Sequence, residues 1–349
     1  MGACVIVANA PENLYLSDKI LRLQLPDDLK PWLLRFLRSP LGRTRIEAVS
    51  TGNQLSMRNI SQESIRKIRV PMPSTYVRCR VVNKLDNLTG RTARARQELG
   101  RIPKLIQKYR QAILSAAHTH AFFHSPRELS LGEIATEVRN GLSRRPENHP
   151  PGIPILKISA IRPMAIRMDE LRYYVPTEGE DIERVYLRAD DILFTRYNGN
   201  PDLVANCGRV SAVDRPLVYP DKLIRVRLDR TVAEPAFVEA LFTSGPIRQK
   251  LEPFIKSAAG QHGISGGDLK SVKLPVPALS VQQEIAHRIK TAFTWLDRVV
   301  AEHANASRLL PKLDQAILAK AFRGELVPPK PDGRGEHLLT DDQKPRPSR

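Results

Sequence analysis

Ile264-Ser265, nine residues, then Pro275-Val276-Pro277 restates Ile60-Ser61, nine residues, then Pro71-Met72-Pro73, at a spacing of 204 (264 − 60). The echo extends both ways. Asp18-Lys19-Ile20-Leu21-Arg22-Leu23 matches Asp221-Lys222-Leu223-Ile224-Arg225-Val226, and Gln111-Ala112-Ile113-Leu114 matches Gln315-Ala316-Ile317-Leu318. Solenoid repeats run about 20–50 residues. A period this long describes a whole domain and the helix behind it, present twice. A chain so built makes one kind of contact twice.

The helices are the clearest elements. Val77, Val81, Leu85, Leu88, Thr92, Ala95, Leu99, Ile102, Ile106, Tyr109 and Ile113 advance by alternating steps of 4 and 3 after the first. That is a heptad seam. Adding 204 gives the second copy: Val281, Ile285, Ile289, Ala292, Leu296, Val299, His303, Ala306, Leu310, Leu313 and Ile317. Each helix would hold about 40 residues and span about 60 Å. Two such seams pack most simply on each other, antiparallel. Leu85, Leu99, Ile106 and Ile113, with Ile289, Leu296, Leu310 and Ile317, are the expected seam and partner-docking residues. His303 reads as a packed polar seam residue. Pro103 and Pro311 fall inside the pattern and are expected to kink or interrupt it. Thin packing at Thr92, Ala95 and Ala306 suggests close approach. Ser74 or Thr75, and Ser280, read as helix N-caps.

Composition bounds the partners. The 349 residues are 41% hydrophobic and 26% charged, as in soluble globular proteins, but the net charge is +18. The pI near 10.1 favours a polyanion. Membrane is the weaker choice, because no apolar run approaches a spanning length and the basic residues are dispersed. Cys4, Cys79 and Cys207 stand alone, which argues against disulfides and structural zinc and fits a reducing cytoplasm. Met1–Ala10 lacks a basic n-region; Ala3 to Ala8 reads as a strand.

Between the helices, residues 125–278 read as a mixed α/β domain. Leu131–Val138 reads as a short helix or turn entering a loop at Asn140-Gly141. Ile153–Ile158, Ile192–Thr195, Cys207–Val213 and Lys222–Leu228 read as strands, and Pro235–Phe242 and Ile247–Phe254 as helices. Each Pro-x-Pro exit marks a strand end. Residues 14–73 match only the later part of this domain, 218–277, and nothing matches 125–200 in a first copy. Exposed strand edges are therefore expected there. Pro328–Arg349, rich in Pro, Gly and charge, is expected to be disordered.

The run Gln315-Ala316-Ile317-Leu318-Ala319-Lys320-Ala321-Phe322-Arg323-Gly324-Glu325-Leu326 resembles the distal helix of type I restriction-modification specificity subunits. The central helix ending Tyr109–Leu114 is similar. So are Leu131–Ile134 opening a domain, Asp191–Asn200 in its middle, and Gly260 through Ile264 to Pro277 at its end. The resemblance covers residues 14–326. It implies an α/β fold class in which target-recognition domains alternate with two long antiparallel coiled-coil helices. The expected segments are the later part of a first recognition domain (1–74), a central spacer helix (75–121), a second recognition domain (125–278), a distal spacer helix (279–322) and a disordered tail (323–349). The family starts with a complete first domain, and this chain enters it part-way; Gly2–Asn9 looks like the strand that Gly208–Val213 supplies in the second copy. The resemblance further implies binding of double-stranded DNA at a bipartite target, and docking of modification (methyltransferase) and restriction subunits. S-adenosylmethionine, ATP and Mg would belong to those partners.

A specificity subunit needs base readout. Lys and Arg hold phosphates, while Arg, Asn, Gln and Lys reach base edges. Thr195–Asn200 follows a strand and offers Arg196, Tyr197, Asn198 and Asn200: a bidentate guanine reader beside amides suited to adenine. The bland reading is an Asn-Gly turn with a solvated Arg196. Lys157, Ser159 and Arg162 stand at a strand end, on DNA or on a solvated sheet face. Arg144 and Arg145 follow Gly141 and either hold phosphate or are simply solvated. Ser257–Ser265 is a Gly- and Ser-rich loop flanked by Lys256 and carrying Gln261 and His262.

There is no GxxxxGK[ST] phosphate loop. Asn198-Gly199-Asn200-Pro201 lacks the second proline and aromatic of an amino-methyltransferase motif. No carboxylate spacing suggests a metal nuclease, so no catalysis is expected. The rival readings are a helical scaffold without recognition, and an RNA-binding coiled-coil protein.

Overall fold

The computed structural model describes residues 3–9, 11–51, 59–119, 126–258 and 260–327. The boundaries expected at 121 and 125, and the tail from 328 onward, lie outside them. Along the chain the elements are α1 (Lys30–Arg38), α2 (Pro40–Ala48), α3 (Gln62–Arg66), α4 (Thr75–His118), β1 (Arg127–Ser130), α5 (Leu131–Ile134), β2 (Ala135–Asn140), β3 (Ile153–Leu156), β4 (Ile161–Arg162), β5 (Ala165–Ile166), β6 (Leu171–Tyr174), β7 (Ile192–Thr195), β8 (Tyr197–Asn198), β9 (Cys207–Arg209), β10 (Leu223–Leu228), α6 (Pro235–Thr243), α7 (Gly245–Leu251), β11 (Lys256–Ala258), β12 (Gln261–Gly263), α8 (Gly266–Ser271), β13 (Lys273–Val276) and α9 (Leu279–Phe322). The chain is mixed α/β with two long helices. It divides into two compact units, residues 1–102 with 300–349, and residues 103–299.

The 204-residue period holds at both helix ends, since 279 − 75 and 322 − 118 are both 204, and each helix has 44 residues. Pro103 and Pro311 lie inside continuous helices, so neither interrupts its helix. A proline removes one backbone bond and strains one turn, and packed seam residues on either side hold the remainder together. Ser280 falls inside the first turn of α9 rather than at its cap, because the helix already begins at Leu279.

In the first unit Thr92 Oγ1 and Arg96 reach Asp314 at 2.6 and 2.8 Å, and His303 hydrogen-bonds the Leu99 carbonyl at 3.0 Å. In the second unit Arg110 pairs with Asp297 and lies 5.5 Å from the Phe293 ring centroid. In the first unit, rising numbers on α4 meet falling numbers on α9, so these segments are antiparallel. Leu85, Ile106, Ile289 and Leu296 are buried, and Leu99, Ile113, Leu310 and Ile317 are half-buried. Tyr109 and Leu313, which the heptad places on the seam, are instead 61% and 48% exposed. Ala95 is exposed as well, while Arg110 and Asp314 are half-buried. An α-helix turns every 3.6 residues, so a strict 3.5 pattern drifts off the contact line. Here the seam steps by four, from Ile106 to Arg110 and from Leu310 to Asp314.

The first unit is built on Trp32, Phe36, Leu37 and Ile46 from α1 and α2, Val81 and Leu85 from α4, and Leu318, Ala321 and Phe322 from α9. Arg323–Val327, expected to begin a disordered tail, forms a turn, and Leu326 and Val327 pack on this core. Ala3–Ala8, expected as a strand, is not one. Its counterpart β9 is a strand because β7 pairs with it, and the sequence holds no first-copy match to β7. Ile20 and Leu23, which match Leu223 and Val226 of β10, are 55% and 42% exposed for the same reason. Likewise Arg69–Met72 is not a strand, whereas its counterpart β13 pairs with β1.

In the second unit the central sheet has the order β2-β10-β7-β9, antiparallel throughout. Alternation along the strands splits the residues between two cores. Ile192, Phe194, Cys207, Ile224 and Val226 join α6 and α7 on one face. Leu193 and Leu223 join Ile155, Tyr174, Val218 and Tyr219 on the other. That second face also buries Arg225, whose Nη2 reaches Glu137 at 2.7 Å. Arg227 is 2.7 Å from Asp191 and 3.1 Å from Glu137. Burying these charges is tolerable only because they neutralise one another.

Ser130 caps α5 reciprocally with Glu133, and Lys273 lies 3.1 Å from the same carboxylate. These hydrogen bonds, chiefly from Ser130, pull the Glu133 pKa from 4.5 down to about 2. A depressed carboxylate pKa stabilises above the unfolded value and loses that contribution as pH falls toward the folded one. Glu133→Gln is therefore expected to flatten the fall of the urea midpoint between about pH 4.5 and about pH 2. Identical slopes in variant and parent would show that the cap carries no such linkage.

Candidate nucleic-acid interface

β2 and β7 both run antiparallel to β10 and finish at its start, where Asn140 faces Ile224 and Thr195 faces Leu223. The chain therefore leaves both strands at one edge of the sheet. Backbone hydrogen bonds lace the exits together: Asp221 N–H to Leu142 O at 2.8 Å, Arg196 N–H to Lys222 O at 2.8 Å, and Ile264 N–H to Arg196 O at 3.0 Å. Gly141 is required, since a Cβ there would overlap the Tyr219 carbonyl. Tyr219 itself is buried, its phenol pushed up to about 12 by burial. It stays neutral and donates to Arg139 O at 3.2 Å.

Two candidate segments, about sixty residues apart in sequence, meet here. β8 pairs with β12, His262 opposite Asn198 and Gly263 opposite Tyr197, and β12 pairs with β11. A small three-stranded sheet results, with Arg196–Asn200 and the Lys256–Gly263 hairpin on one platform. Gly263 lets it form, because a Cβ there would strike the Tyr197 ring. The hairpin turns at Gly260, whose φ of +75° suits glycine.

The chemistry of the platform follows from what its side chains have left to offer. Arg196 Nη1 donates to Asp221 O at 3.3 Å and the guanidinium lies 4.7 Å from the Tyr197 ring centroid. It is thus a stacked, oriented cation rather than a solvated one. The Asn198 carbonyl accepts from Asn200 N–H at 3.0 Å, and the Asn200 carbonyl from Asp202 N–H at 2.9 Å. Both amide oxygens close turns, which leaves their NH₂ groups as donors. Each oxygen accepts a single bond and keeps a second lone pair, so both amides still offer a donor beside an acceptor. Gln261 and His262 side chains have no hydrogen-bond partner among the described residues. Lys256 is exposed and 3.9 Å from Asp268. Lys222, absent from the sequence candidates, is exposed beside Arg196; the repeated Asp-Lys pair at its position was the available signal.

The other candidates fare differently. Arg144 donates to Val175 O, lies 3.5 Å from Glu180 and 4.8 Å from the Tyr174 centroid. Ser159 donates to Glu170, and Arg162 donates to Ser159 O and lies 3.5 Å from Glu170. These three are occupied in holding their own loops. Arg145 and Lys157 are exposed without a partner among the described residues. Lys157, Ser159 and Arg162 do not join the platform; the β4–β5 hairpin that follows packs on β9, with Met164 N–H on Cys207 O at 3.2 Å. No group of three or more His, Cys, Asp or Glu among the described residues is placed to hold a metal ion, and none of their helices is long and apolar enough to cross a membrane.

Known proteins share this arrangement. Residues 128–298 match the family described as the type I restriction modification DNA specificity domain. The chain is 34% identical over 310 residues to the type I restriction enzyme EcoKI specificity subunit of Escherichia coli (strain K12), covering 85% of this chain and 65% of that protein. It is 28% identical over 308 residues to the StySPI specificity subunit of Salmonella potsdam, with the same shares. It thus spans 65% of the length of these curated relatives. The fold is that of the HsdS subunit from Thermoanaerobacter tengcongensis, with a TM-score of 0.56 at 19% identity over 84% of this chain and 70% of that one. The alternation of helices and mixed domain, the matched domain and the identity to EcoKI's subunit agree, and the chain is similar over most of its length to type I restriction-modification specificity subunits.

Proposed function

We propose that this chain selects DNA sequence for a type I restriction-modification complex without catalysing a reaction itself. Its second unit reads one half of a bipartite double-stranded target, and its long helices dock modification subunits, with restriction subunits joining that core. S-adenosylmethionine, ATP and Mg are assigned to those partners. The observation that carries the reading is the three-stranded platform. It presents Arg196, Gln261, His262 and Lys256 from one edge of a rigid sheet, on a chain of net charge +18. Arg196 suits the acceptor edge of guanine, and the Asn198 and Asn200 amides, each with a donor and a spare acceptor lone pair, suit adenine. Lys222, Arg145 and Lys157 suit phosphate.

The test is selection of a preferred duplex from a randomised pool by the chain with its modification subunits, then titration by anisotropy. Arg196→Ala and Gln261→Ala are each expected to cost about 1–3 kcal/mol on the selected site and little on random duplex. Lys222→Ala is expected to weaken both alike and lower the salt slope by about 1. A selected preference untouched by either platform substitution would place the reading surface elsewhere.

A further inference from the structure

One loop of the platform leaves the sheet and returns to it through a single neck. Thr195 N–H donates to Asn206 O and Ala205 N–H to Thr195 O, both at 2.8 Å, so residues 196–204 form a loop closed at its base. Ala205 is fully buried and has a φ of +58°. A non-glycine residue held left-handed persists only where its surroundings over-determine it. One of those surroundings is Arg248. From α7 it donates Nη1 to Val204 O at 2.6 Å and Nη2 to Asp202 O at 3.0 Å.

Those two bonds reach the reading groups in steps. Asp202 N–H holds the Asn200 amide oxygen at 2.9 Å, and Asn200 N–H holds the Asn198 amide oxygen at 3.0 Å. The peptide groups that Arg248 fixes therefore set where both amides point. α7 itself is fixed, since Ile247 and Leu251 are buried in the core that also holds Leu114 and Ala117 of α4. It ends at Leu251, and β11, in the other segment of the platform, opens at Lys256. One short helix thus anchors both segments.

Stability alone does not call for an arginine here. Arg248 is half-buried, and burial pulls its pKa down. It makes no ion pair among the described residues, and partly desolvating an unpaired cation is costly. Asp202 and Leu203 are exposed, where water would serve a turn carbonyl nearly as well. What two donors on one planar fork supply is geometry. The arginine also recurs. Ser39 and Arg43 open α2 at the same spacing as Ser244 and Arg248 open α7, and each serine hydroxyl donates to a carbonyl of the preceding helix at 2.6 Å, Phe36 O and Leu241 O.

We infer that Arg248 is a positioning residue for base reading: it locks the Asn198–Val204 turn so that the Asn198 and Asn200 amides meet base edges in one pose. The inference rests on the function proposed above and places a determinant of specificity outside the reading surface, on a side chain that acts through its neighbours.

The test uses the duplex selected by the full chain with its modification subunits, and a panel in which single base pairs of that duplex are altered. Arg248→Met is expected to reduce the preference for selected over random duplex about 10-fold, with the loss concentrated at the base pairs that Asn198→Ala and Asn200→Ala relax. Arg248→Met combined with Asn200→Ala is expected to cost little more than either alone, because both act through one pose. Arg248→Lys keeps the charge without the fork, and is expected to lose discrimination at the same base pairs. Hydrogen exchange is expected to quicken at Leu203–Asn206 and to hold in β2 and β10. If Arg248→Met loosens β2 and β10 as well, Arg248→Lys carries the comparison. Equal losses on selected and random duplexes, or full rescue by Arg248→Lys, would make Arg248 a stability or phosphate residue and overturn the inference. Discrimination kept by both variants would overturn it too. A parent that prefers no duplex would overturn the functional reading and this inference with it.

Discussion

Phe322→Ala is expected to cost the first unit about 3–5 kcal/mol, the range for deleting a fully buried aromatic. Phe322 is 1% exposed. Its ring centroid lies 4.8 Å from that of Trp32 and 5.4 Å from that of Phe36. Trp32 in turn donates Nε1–H to Pro71 O at 2.8 Å. With Leu318 and Ala321, this ring brings the end of α9 into a core shared with α1, α2 and the start of α4. Truncation leaves a cavity between aromatic faces that helix backbone cannot collapse into. Urea unfolding followed by fluorescence reads the effect, since Trp32 is buried and the other tryptophan, Trp295, is 61% exposed. A loss below about 1 kcal/mol would mean that the ring contributes no more than a surface residue.

Asp191→Ala is expected to be about as costly in the second unit, again about 3–5 kcal/mol, because it breaks a buried ionic set from one side. Asp191 is 1% exposed. It accepts from Arg188 N–H at 2.8 Å and from Arg227 Nε at 2.7 Å, with Arg225 Nε 4.0 Å away. Without it, Arg225 and Arg227 of β10 keep backbone carbonyls but share only one carboxylate, Glu137, and a backbone N–H loses its acceptor. Asp191 also precedes β7, the strand that delivers Arg196 to the platform. Hydrogen exchange is expected to quicken in β7 and β10 first, with DNA affinity falling alongside stability. Unchanged exchange in those strands would sink the claim that this network holds the sheet.

Part of this was legible in the residues. Ile60-Ser61 and Ile264-Ser265 announced a repeated element, and both serines turn out to cap helices, α3 and α8. The heptads announced two helices, whose 44-residue lengths match residue for residue at the period. The strand Ile192–Thr195 showed itself by its apolar run. The internal bonds of Arg144, Arg162 and Ser159 were not legible, because a free side chain and a bound one look alike in sequence. Their partners Glu180 and Glu170 become visible only once β6 and its flanking loops bring them near. The isolated apolar segments at Ala3–Ala8 and Arg69–Met72 misled for the converse reason: a strand is defined by its neighbour, and these have none among the described residues.

Sequence alone determined the period, the two helices, the basic charge and the family resemblance, because each is written in local spacing or composition. Tertiary structure decided which residues face outward, which loops share a platform and which polar groups remain unspent. Tyr109 turned outward because helical pitch accumulates over a long helix, and His262 met Asn198 because two short strands found each other's unpaired backbone. Such outcomes depend on pairings between distant residues, and a linear pattern carries no trace of them.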